Sequence, residues 1–208
     1  MNFNRLAPHY NWIEAVTAGS RLQRARTQWL EALAGCRHIL SVGEGHGRFA
    51  AACLERFPEA ELTCVEASTG MIAVARDRTR AWQDRVRWEC ADALAWQPLR
   101  SYDAIVTCFF LDCFPPKTLA AMVQHLANSA SANSVWLMTD FAVPKAGPAR
   151  LRAKAIHALM YGFFRAIAAL PARRLTPPDG SLAEHGFKLT HRREFEWGLL
   201  RSDVWRRG

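Results

Sequence analysis

Three features of this chain are suited to binding a ligand: a glycine turn, a glutamate and an aspartate. The turn holds Gly43, Gly45 and Gly47, and its lack of side chains lets a backbone approach a ligand closely. Glu66 can accept hydrogen bonds from both hydroxyls of a ribose, and Asp92 can accept one from an exocyclic amine such as that of adenine. Together these features predict a site for an adenosine that carries an acidic or zwitterionic tail.

Strands and helices alternate along the part of the chain that carries these residues. Apolar strands are predicted at His38–Val42, Leu62–Val65, Val86–Cys90, Tyr102–Phe110 and Ser134–Thr139. Helices are predicted at Arg48–Arg56, Thr69–Trp82, Pro116–Asn128 and about Pro148–Leu170, and two more between Tyr10 and Leu33. This alternation predicts an α/β fold with a doubly wound, mostly parallel sheet, which binds ligands beyond the carboxyl ends of its strands.

The end of the chain breaks this alternation. Two segments there, Lys188–Trp197 and Leu199–Trp205, are separated by Gly198 and predict a β-hairpin rather than another strand–helix unit.

The helix that starts directly after the glycine turn is expected to offer free N–H groups to the anionic tail of the ligand.

A nicotinamide or flavin dinucleotide is the rival cofactor. Its fingerprint is G-x-G-x-x-G followed by an acid, and Glu66 satisfies the acidic position in either case. Arg48 stands where the third dinucleotide glycine belongs, and a bulky side chain there opposes close packing around a pyrophosphate. The glycine spacing therefore favours an adenosine ligand of another kind.

The motifs resemble those of the class I S-adenosylmethionine-dependent methyltransferase family, over roughly Phe3 to Arg206. Ile39–Gly47 is similar to the family's glycine motif, Val65–Met71 to its ribose motif, Cys90–Leu94 to its adenine-binding turn and Tyr102–Val106 to its fourth-strand entry. The resemblance implies a Rossmann-like, seven-stranded sheet with an antiparallel last strand. It also implies S-adenosylmethionine as the methyl donor and S-adenosylhomocysteine as the product.

Carried over residue by residue, the resemblance implies a cofactor site. Its residues are Gly43, Glu44, Gly45, Gly47, Glu66, Ala67, Met71, Asp92, Ala93 and Phe109. The family usually has an acid two residues before the first glycine, where this chain has Ser41. Glu44, inside the turn, is expected to take over contacts near the methionine amine.

The N-terminal segment Leu6–Trp12 is similar to that of the ubiquinone/menaquinone C-methyltransferases and their small-molecule relatives. In those proteins a tyrosine-bearing helix folds over the cofactor as a lid. Residues 1–34 are therefore expected to form a helical lid, with Tyr10 as a catalytic residue or cofactor contact and His9 near the substrate. Asn11 stands where these relatives usually have an aspartate.

Methyl transfer is an in-line displacement at a sulfonium carbon, so the enzyme mainly aligns the acceptor and excludes water. A general base is needed only when the acceptor is an unionised hydroxyl, a thiol or an acidic carbon. Asp112 is a catalytic candidate, although it could instead cap the turn at Pro115-Pro116. Asp140, His157 and Tyr161 are candidate substrate residues. The expected acceptor is a small apolar, aromatic or thiol-type molecule.

The long helix about Pro148–Leu170 has an apolar face that contains Ile156, Leu159 and Met160, with His157 and Tyr161 off that face. The pattern predicts that the apolar face packs on the sheet. The exposed edge could also cover an apolar acceptor or contact a membrane surface.

The charge distribution leaves a second class of acceptor open. The chain has 27 basic and 19 acidic residues, a net charge of +8, and from Ala142 to Gly208 there are 13 basic and 5 acidic residues. This bias keeps an RNA or protein methyltransferase as an alternative, and a cofactor-binding regulator without turnover as another. The order Asp112-Cys113-Phe114-Pro115-Pro116 lacks the family's nucleic-acid motif and argues against a nucleic-acid partner.

The whole chain is interpreted as one domain, with residues 1–34 as the lid, 38–141 as the cofactor-binding core and 142–208 as the acceptor-side helix and closing hairpin. No window of about 20 uncharged apolar residues and no signal-peptide core is present, so a cytoplasmic protein is expected. The six cysteines form no CxxC pair, and no metal site is expected.

Overall fold

The computed structural model describes residues 19–168, 172 and 174–208, and the described residues form a seven-stranded sheet. The strands are β1 His38–Val42, β2 Glu61–Glu66, β3 Val86–Cys90, β4 Tyr102–Cys108, β5 Ala130–Phe141, β6 Phe187–Phe195 and β7 Leu200–Arg207. They lie in the order β3-β2-β1-β4-β5-β7-β6, with β7 antiparallel to both of its neighbours and the other pairs parallel. The predicted α/β class, with a doubly wound sheet and an antiparallel last strand, is confirmed.

Helices cover both faces of this sheet. They are α1 Gly19–Arg26, α2 Arg48–Arg56, α3 Thr69–Arg78, α4 Pro116–Asn128, α5 Gly147–Ala168 and α6 Asp179–Glu184. Local sequence signals explain two of the starts: the Ser68 hydroxyl accepts a hydrogen bond from the Met71 N–H at 3.2 Å, and Pro116 occupies the first position of α4.

The core consists of two apolar layers, one on each face of the central strands. In β1, Leu40 and Val42 belong to one layer and Ile39 to the other; in β4, Ile105 belongs to the first layer and Val106 to the second. This double burial explains why these strands are apolar at nearly every position. Sheet order reverses between β1 and β4, which places a crevice at their carboxyl ends.

Several element boundaries differ from the sequence prediction. β4 ends at Cys108 rather than Phe110, because Phe109 adopts a left-handed conformation with φ of 54° that a strand cannot continue through. α3 ends at Arg78, and a 3-10 helix with a kink at Trp82 follows it.

The described part of the predicted lid, residues 19–34, packs on the body of the protein. The Thr139 hydroxyl donates to the Ala25 carbonyl at 3.3 Å, and the Trp29 indole N–H donates to the Ser202 carbonyl at 2.9 Å. Leu33, in a 3-10 helix at Leu30–Leu33, is fully buried. These contacts attach the segment to β5 and β7.

Ion pairs fix the C-terminal hairpin to α6. Arg192 binds the fully buried Asp203 through two hydrogen bonds of 2.8 and 2.7 Å. Asp179, at the start of α6, accepts hydrogen bonds of 2.7 Å from both Arg192 and Arg201. Paired bidentate geometry of this kind compensates the desolvation of a buried carboxylate.

Candidate functional site

A cleft opens at the carboxyl ends of β1, β2 and β4, where the sheet order reverses. The empty space in the cleft, open solvent included, is about 950 Å³. Nine of the ten residues assigned to the cofactor site from the sequence line it; they are Gly43, Glu44, Gly45, Glu66, Ala67, Met71, Asp92, Ala93 and Phe109. The tenth, Gly47, directly precedes α2 and has its space filled by Ala75.

The glycine turn needs glycine for two different reasons. Gly43 has φ of +67°, and a Cβ atom there would lie 2.3 Å from Cδ2 of Phe110. Gly45 has φ of +65°, and a Cβ there would meet no described atom within 4 Å. The first glycine therefore permits close packing inside the protein, and the second leaves its face of the turn open to the cleft.

Glu66 ends β2 with its carboxylate held by the backbone. Its Oε2 accepts from the Gly45 N–H at 3.0 Å, and its Oε1 accepts from the Ser68 N–H at 2.9 Å. Burial raises the pKa of Glu66, and the hydrogen bonds from these N–H groups oppose the rise. Each carboxylate oxygen keeps a further lone pair, so the oriented side chain can still accept two hydroxyl groups.

Glu44 occupies the N–H groups that the sequence interpretation left free for a ligand. Its Oε1 accepts from the N–H groups of Phe49 and Ala50, at 3.1 and 2.9 Å, in the first turn of α2. Its Oε2 accepts from the Ser41 hydroxyl at 2.5 Å. Glu44 therefore caps α2 and lines the cleft at once. Ser41 stands where the family usually has an acid, and its hydroxyl donates to the Glu44 carboxylate.

Asp92 follows β3 and turns the backbone at the cleft. Its Oδ1 accepts from the Leu94 N–H at 2.9 Å. The residue is exposed and lines the cleft wall. Ala93 is buried beside it. We define the turn Gly43–Gly47 with Glu66 and Asp92 as the β1–β3 half of the site.

Sequence reasoning missed Arg26 as a site residue. This side chain is 7% exposed, and among the described residues that line the cleft it is the single lysine or arginine. Its guanidinium lies 5.0 Å from the centroid of the Phe109 ring, and its charge lowers the pKa of Glu44 against the larger raising effect of burial. No local signal distinguishes Arg26 from Arg24 in the same helix; only the packing of α1 does.

The predicted acceptor residues also come together, at the carboxyl ends of β4 and β5. Asp112 and Asp140 are both buried. Burial raises the pKa of Asp112 to about 6, and burial and the neighbouring Asp112 raise the pKa of Asp140 well above its usual range. Asp140 accepts from the Phe110 N–H at 3.0 Å through Oδ1, and its Oδ2 has no hydrogen-bond partner among the described residues.

α5 contributes His157 and Tyr161 to the same region. The Tyr161 hydroxyl donates to the Asp112 carbonyl at 3.0 Å, and the His157 ring packs edge-on against Phe141 at 5.7 Å between centroids. We define Asp112, Asp140, His157 and Tyr161 as the β4–β5 half of the site.

The prediction that α5 packs through its apolar face is wrong at Leu159. His157 and Tyr161, expected off the packed face, are 5% and 6% exposed, whereas Leu159, expected on that face, is 78% exposed. The inward-facing rings make specific contacts: His157 packs against Phe141 at the end of β5, and the Tyr161 hydroxyl donates to the backbone carbonyl of Asp112 after β4.

Two predicted site residues, His9 and Tyr10, lie outside the described residues. The lid segment 1–18 to which they belong does so as well. Their contribution stays a prediction.

The outward side of α5 exposes Leu151 and Leu159, and the nearby Trp197 is 79% exposed with Arg152 stacked at 5.5 Å from its ring. The sequence pattern allows a peripheral membrane contact on this surface, and that contact stays a prediction. None of the described helices combines the length and apolar character needed to cross a bilayer.

A family model matches the central part of the chain. Residues 39–132 match a family model described as a methyltransferase domain. This range contains the whole β1–β3 half of the site and Asp112.

Curated relatives match about half of the chain. A tRNA1(Val) (adenine(37)-N6)-methyltransferase of Vibrio cholerae is 34% identical over 102 residues, 48% of this chain and 40% of that protein. A demethylmenaquinone methyltransferase of Deinococcus radiodurans is 36% identical over 111 residues, 52% of this chain and 46% of that protein. The match thus spans less than half the length of these relatives.

A solved structure shares the fold of the described residues. The mitomycin 7-O-methyltransferase MmcR superposes with a TM-score of 0.73 at 17% identity, covering 100% of this chain and 61% of that one. The sheet order and the match of residues 39–132 to a methyltransferase domain are those expected of a class I S-adenosylmethionine-dependent methyltransferase. This confirms the resemblance drawn from the sequence motifs.

Proposed function

We propose that this chain transfers the methyl group of S-adenosylmethionine to a small-molecule acceptor. The observation that carries the proposal is the Glu66 carboxylate, oriented by the N–H groups of Gly45 and Ser68 at the floor of a cleft. Such a fixed acceptor suits the two ribose hydroxyls of the donor, and its orientation lowers the entropy lost on binding.

The other donor contacts follow from the same cleft. Asp92 accepts the adenine amine, Gly45 leaves room for the ligand, and Arg26 faces the methionine carboxylate as the cation of the cleft wall. Glu44 stays a predicted neighbour of the methionine amine, with its main role in capping α2. Tyr10 and His9 stay predicted lid residues that close the cleft over the donor and acceptor.

The acceptor enters from the β4–β5 half. Phe109, Phe110 and Phe114 line the cleft on that side, so an apolar or aromatic molecule gains contact area there. Because the sulfonium is already activated, these walls contribute by aligning the acceptor and excluding water. A buried base in this half separates an enzyme from a regulator that only binds the cofactor, and Asp112 stays the predicted catalytic candidate.

RNA is the second candidate acceptor, because one relative is named as a tRNA methyltransferase and the chain carries a net charge of +8. Binding to a phosphate backbone requires several cations along a groove. The described cleft lining supplies Arg26 alone among lysines and arginines. The small-molecule acceptor therefore has the stronger support.

Labelled methyl transfer tests the proposal directly. The chain is incubated with methyl-labelled S-adenosylmethionine and either a small-molecule extract or total tRNA, and each product fraction is analysed by mass spectrometry. We expect label in a small molecule, absent with the Glu66→Ala variant. Label found in tRNA alone would support an RNA acceptor instead. If the chain binds the cofactor but gives no labelled product, a cofactor-binding regulator without turnover would be supported.

A further inference from the structure

The outward face of α5 is apolar along its described length. Residues three or four positions apart share one side of a helix, and on this side the exposed residues are Leu151, Ala155, Ala158, Leu159 and Gly162, which we call the exposed row. The two leucines are 72% and 78% exposed, whereas His157 and Tyr161 on the opposite side are buried. A helix on a protein surface usually presents polar residues to water, so this row indicates contact with something outside the chain.

Trp197 extends this apolar surface onto the neighbouring hairpin. The residue lies in the turn between β6 and β7 and is 79% exposed. The Arg152 side chain stacks at 5.5 Å from its ring centroid and donates to the Glu196 carbonyl at 3.1 Å, so α5 and the hairpin turn form one surface. Tryptophan is enriched where a protein meets the interface of a bilayer, because its ring is apolar and its N–H is polar.

The charges along this part of the sequence are of one sign. Residues 142–178 include no acidic residue and seven basic ones, which are Lys145, Arg150, Arg152, Lys154, Arg165, Arg173 and Arg174. Because a helix turns about 100° per residue, Arg152 and Lys154 fall on opposite flanks of the exposed row, and both are exposed. The hairpin contributes Glu194 and Glu196, and the Glu196 carboxylate is paired with Arg21 at 2.9 Å.

An apolar row with cations on both flanks is complementary to an anionic lipid surface. Leucine side chains gain by entering the apolar layer, and the long side chains of lysine and arginine reach the headgroup phosphates from the same depth. A second copy of this chain is less complementary. A symmetric dimer would place the row against itself and bring Arg152 and Lys154 of both copies together, which like-charge repulsion opposes.

We propose that the exposed row, Trp197 and the flanking cations dock this chain on an anionic lipid bilayer, with α5 lying in the plane of the surface. This interaction goes beyond the proposed function and does not depend on methyl transfer. Where the proposed function holds, docking also brings α5, which carries the predicted acceptor residues His157 and Tyr161, next to apolar molecules dissolved in the lipid.

Vesicle sedimentation tests the proposal. The full chain is mixed with vesicles of phosphatidylcholine alone, or of equal parts phosphatidylcholine and phosphatidylglycerol, and the bound fraction is measured at low and high salt. We expect the anionic vesicles to bind at least about tenfold more tightly than the neutral ones, because several cations contribute near the surface. High salt should weaken this binding, because it screens those cations.

Matched variants separate the exposed row from charge in general. The double variant Leu151→Gln with Leu159→Gln should weaken binding to anionic vesicles by about tenfold or more, because both side chains lose their transfer into the apolar layer. Its control is Leu99→Gln, which changes a leucine that is 64% exposed in the loop before β4 and should bind as the parent does.

A second pair of variants tests the cations. Arg152→Gln with Lys154→Gln should weaken binding to anionic vesicles by about tenfold. Arg76→Gln with Lys117→Gln, which removes two exposed cations from α3 and α4, should weaken it less. Urea denaturation checks that each variant is folded, and the single leucine variants replace the double one if it is not.

Three results would overturn the proposal: a parent that sediments with neither kind of vesicle, a folded leucine variant that binds as the parent does, or an equal loss in Leu99→Gln. A parent dimer in analytical ultracentrifugation that the leucine variant dissociates, without vesicle binding, would assign this face to a second copy instead. S-adenosylhomocysteine binding by the same preparations tests the proposed function separately, and its failure would leave the vesicle result standing.

Discussion

The two halves of the site satisfy their buried polar groups in different ways. In the β1–β3 half, Glu44 and Glu66 accept hydrogen bonds from four backbone N–H groups and the Ser41 hydroxyl. In the β4–β5 half, Asp140 and His157 keep buried atoms that no described residue pairs. The β1–β3 half is therefore a preformed frame for the proposed cofactor site, and the β4–β5 half is the less saturated part of the proposed acceptor site.

Gly43→Ala tests how rigid the preformed half is, and we expect it to have the largest effect. The new Cβ would lie 2.3 Å from Phe110 at a positive φ, so strain and overpacking add. We expect the free energy of unfolding to fall by about 2–5 kcal/mol in urea denaturation. Gly180→Ala, where a Cβ meets no described atom within 4 Å, should change it by about 1 kcal/mol or less. Equal effects of the two substitutions would show that the turn adapts.

Glu66→Ala tests the ligand-binding capacity of the same half. Loss of hydrogen bonds to a charged group should weaken S-adenosylhomocysteine binding by about 1.5–3 kcal/mol, measured by calorimetry. The control is Glu61→Ala, at the exposed start of the same strand, which should bind as the parent does. Unchanged affinity in a folded Glu66→Ala protein would remove Glu66 from the site.

Asp112→Asn tests the less saturated half through pH. The pKa of Asp112 is raised to about 6, so between about pH 4 and 6 the folded state holds a proton that the unfolded state has lost. This group therefore makes the parent less stable as pH rises through that window, by roughly 1–3 kcal/mol. Asp112→Asn should flatten this part of the stability profile. A parent profile that rises from pH 4 to 6, unchanged in the variant, would contradict the prediction.

Leu159→Ala tests the orientation of α5 and should have the smallest effect. Leu159 is 78% exposed, so its truncation should change the free energy of unfolding by less than about 0.5 kcal/mol. Leu119→Ala, in the fully buried face of α4, should cost about 2–5 kcal/mol. A comparable loss at both positions would show that α5 packs through Leu159, as its apolar pattern alone predicts.

The contrast between the β1–β3 half and the β4–β5 half also explains which features the sequence could predict. The glycine turn, Glu66 and Asp92 follow the ends of neighbouring parallel strands, so strand order alone brings them together. The capping role of Glu44 depends on the path of the turn back to Phe49 and Ala50, which spacing does not define.

The remaining site residues required tertiary contacts. Arg26 enters the cleft because α1 packs on β5 through Ala25, a contact across more than a hundred residues of chain. The prediction for α5 was wrong because it took the apolar face of the helix to be the buried face. Here the burial of His157 beside Phe141 outweighs that pattern.

The position of β7 has a consequence for synthesis. β7 lies between β5 and β6, so β5 has no neighbour on that edge until residues 200–207 have left the ribosome. About 60 residues separate the two strands, and at about 5–20 residues per second their translation takes roughly 3–12 s. During that interval the nascent chain exposes the unpaired, largely apolar edge of β5, which is a template for intermolecular pairing. The interval between translation of β5 and of β7 is therefore a period in which this edge is open to pairing with another chain.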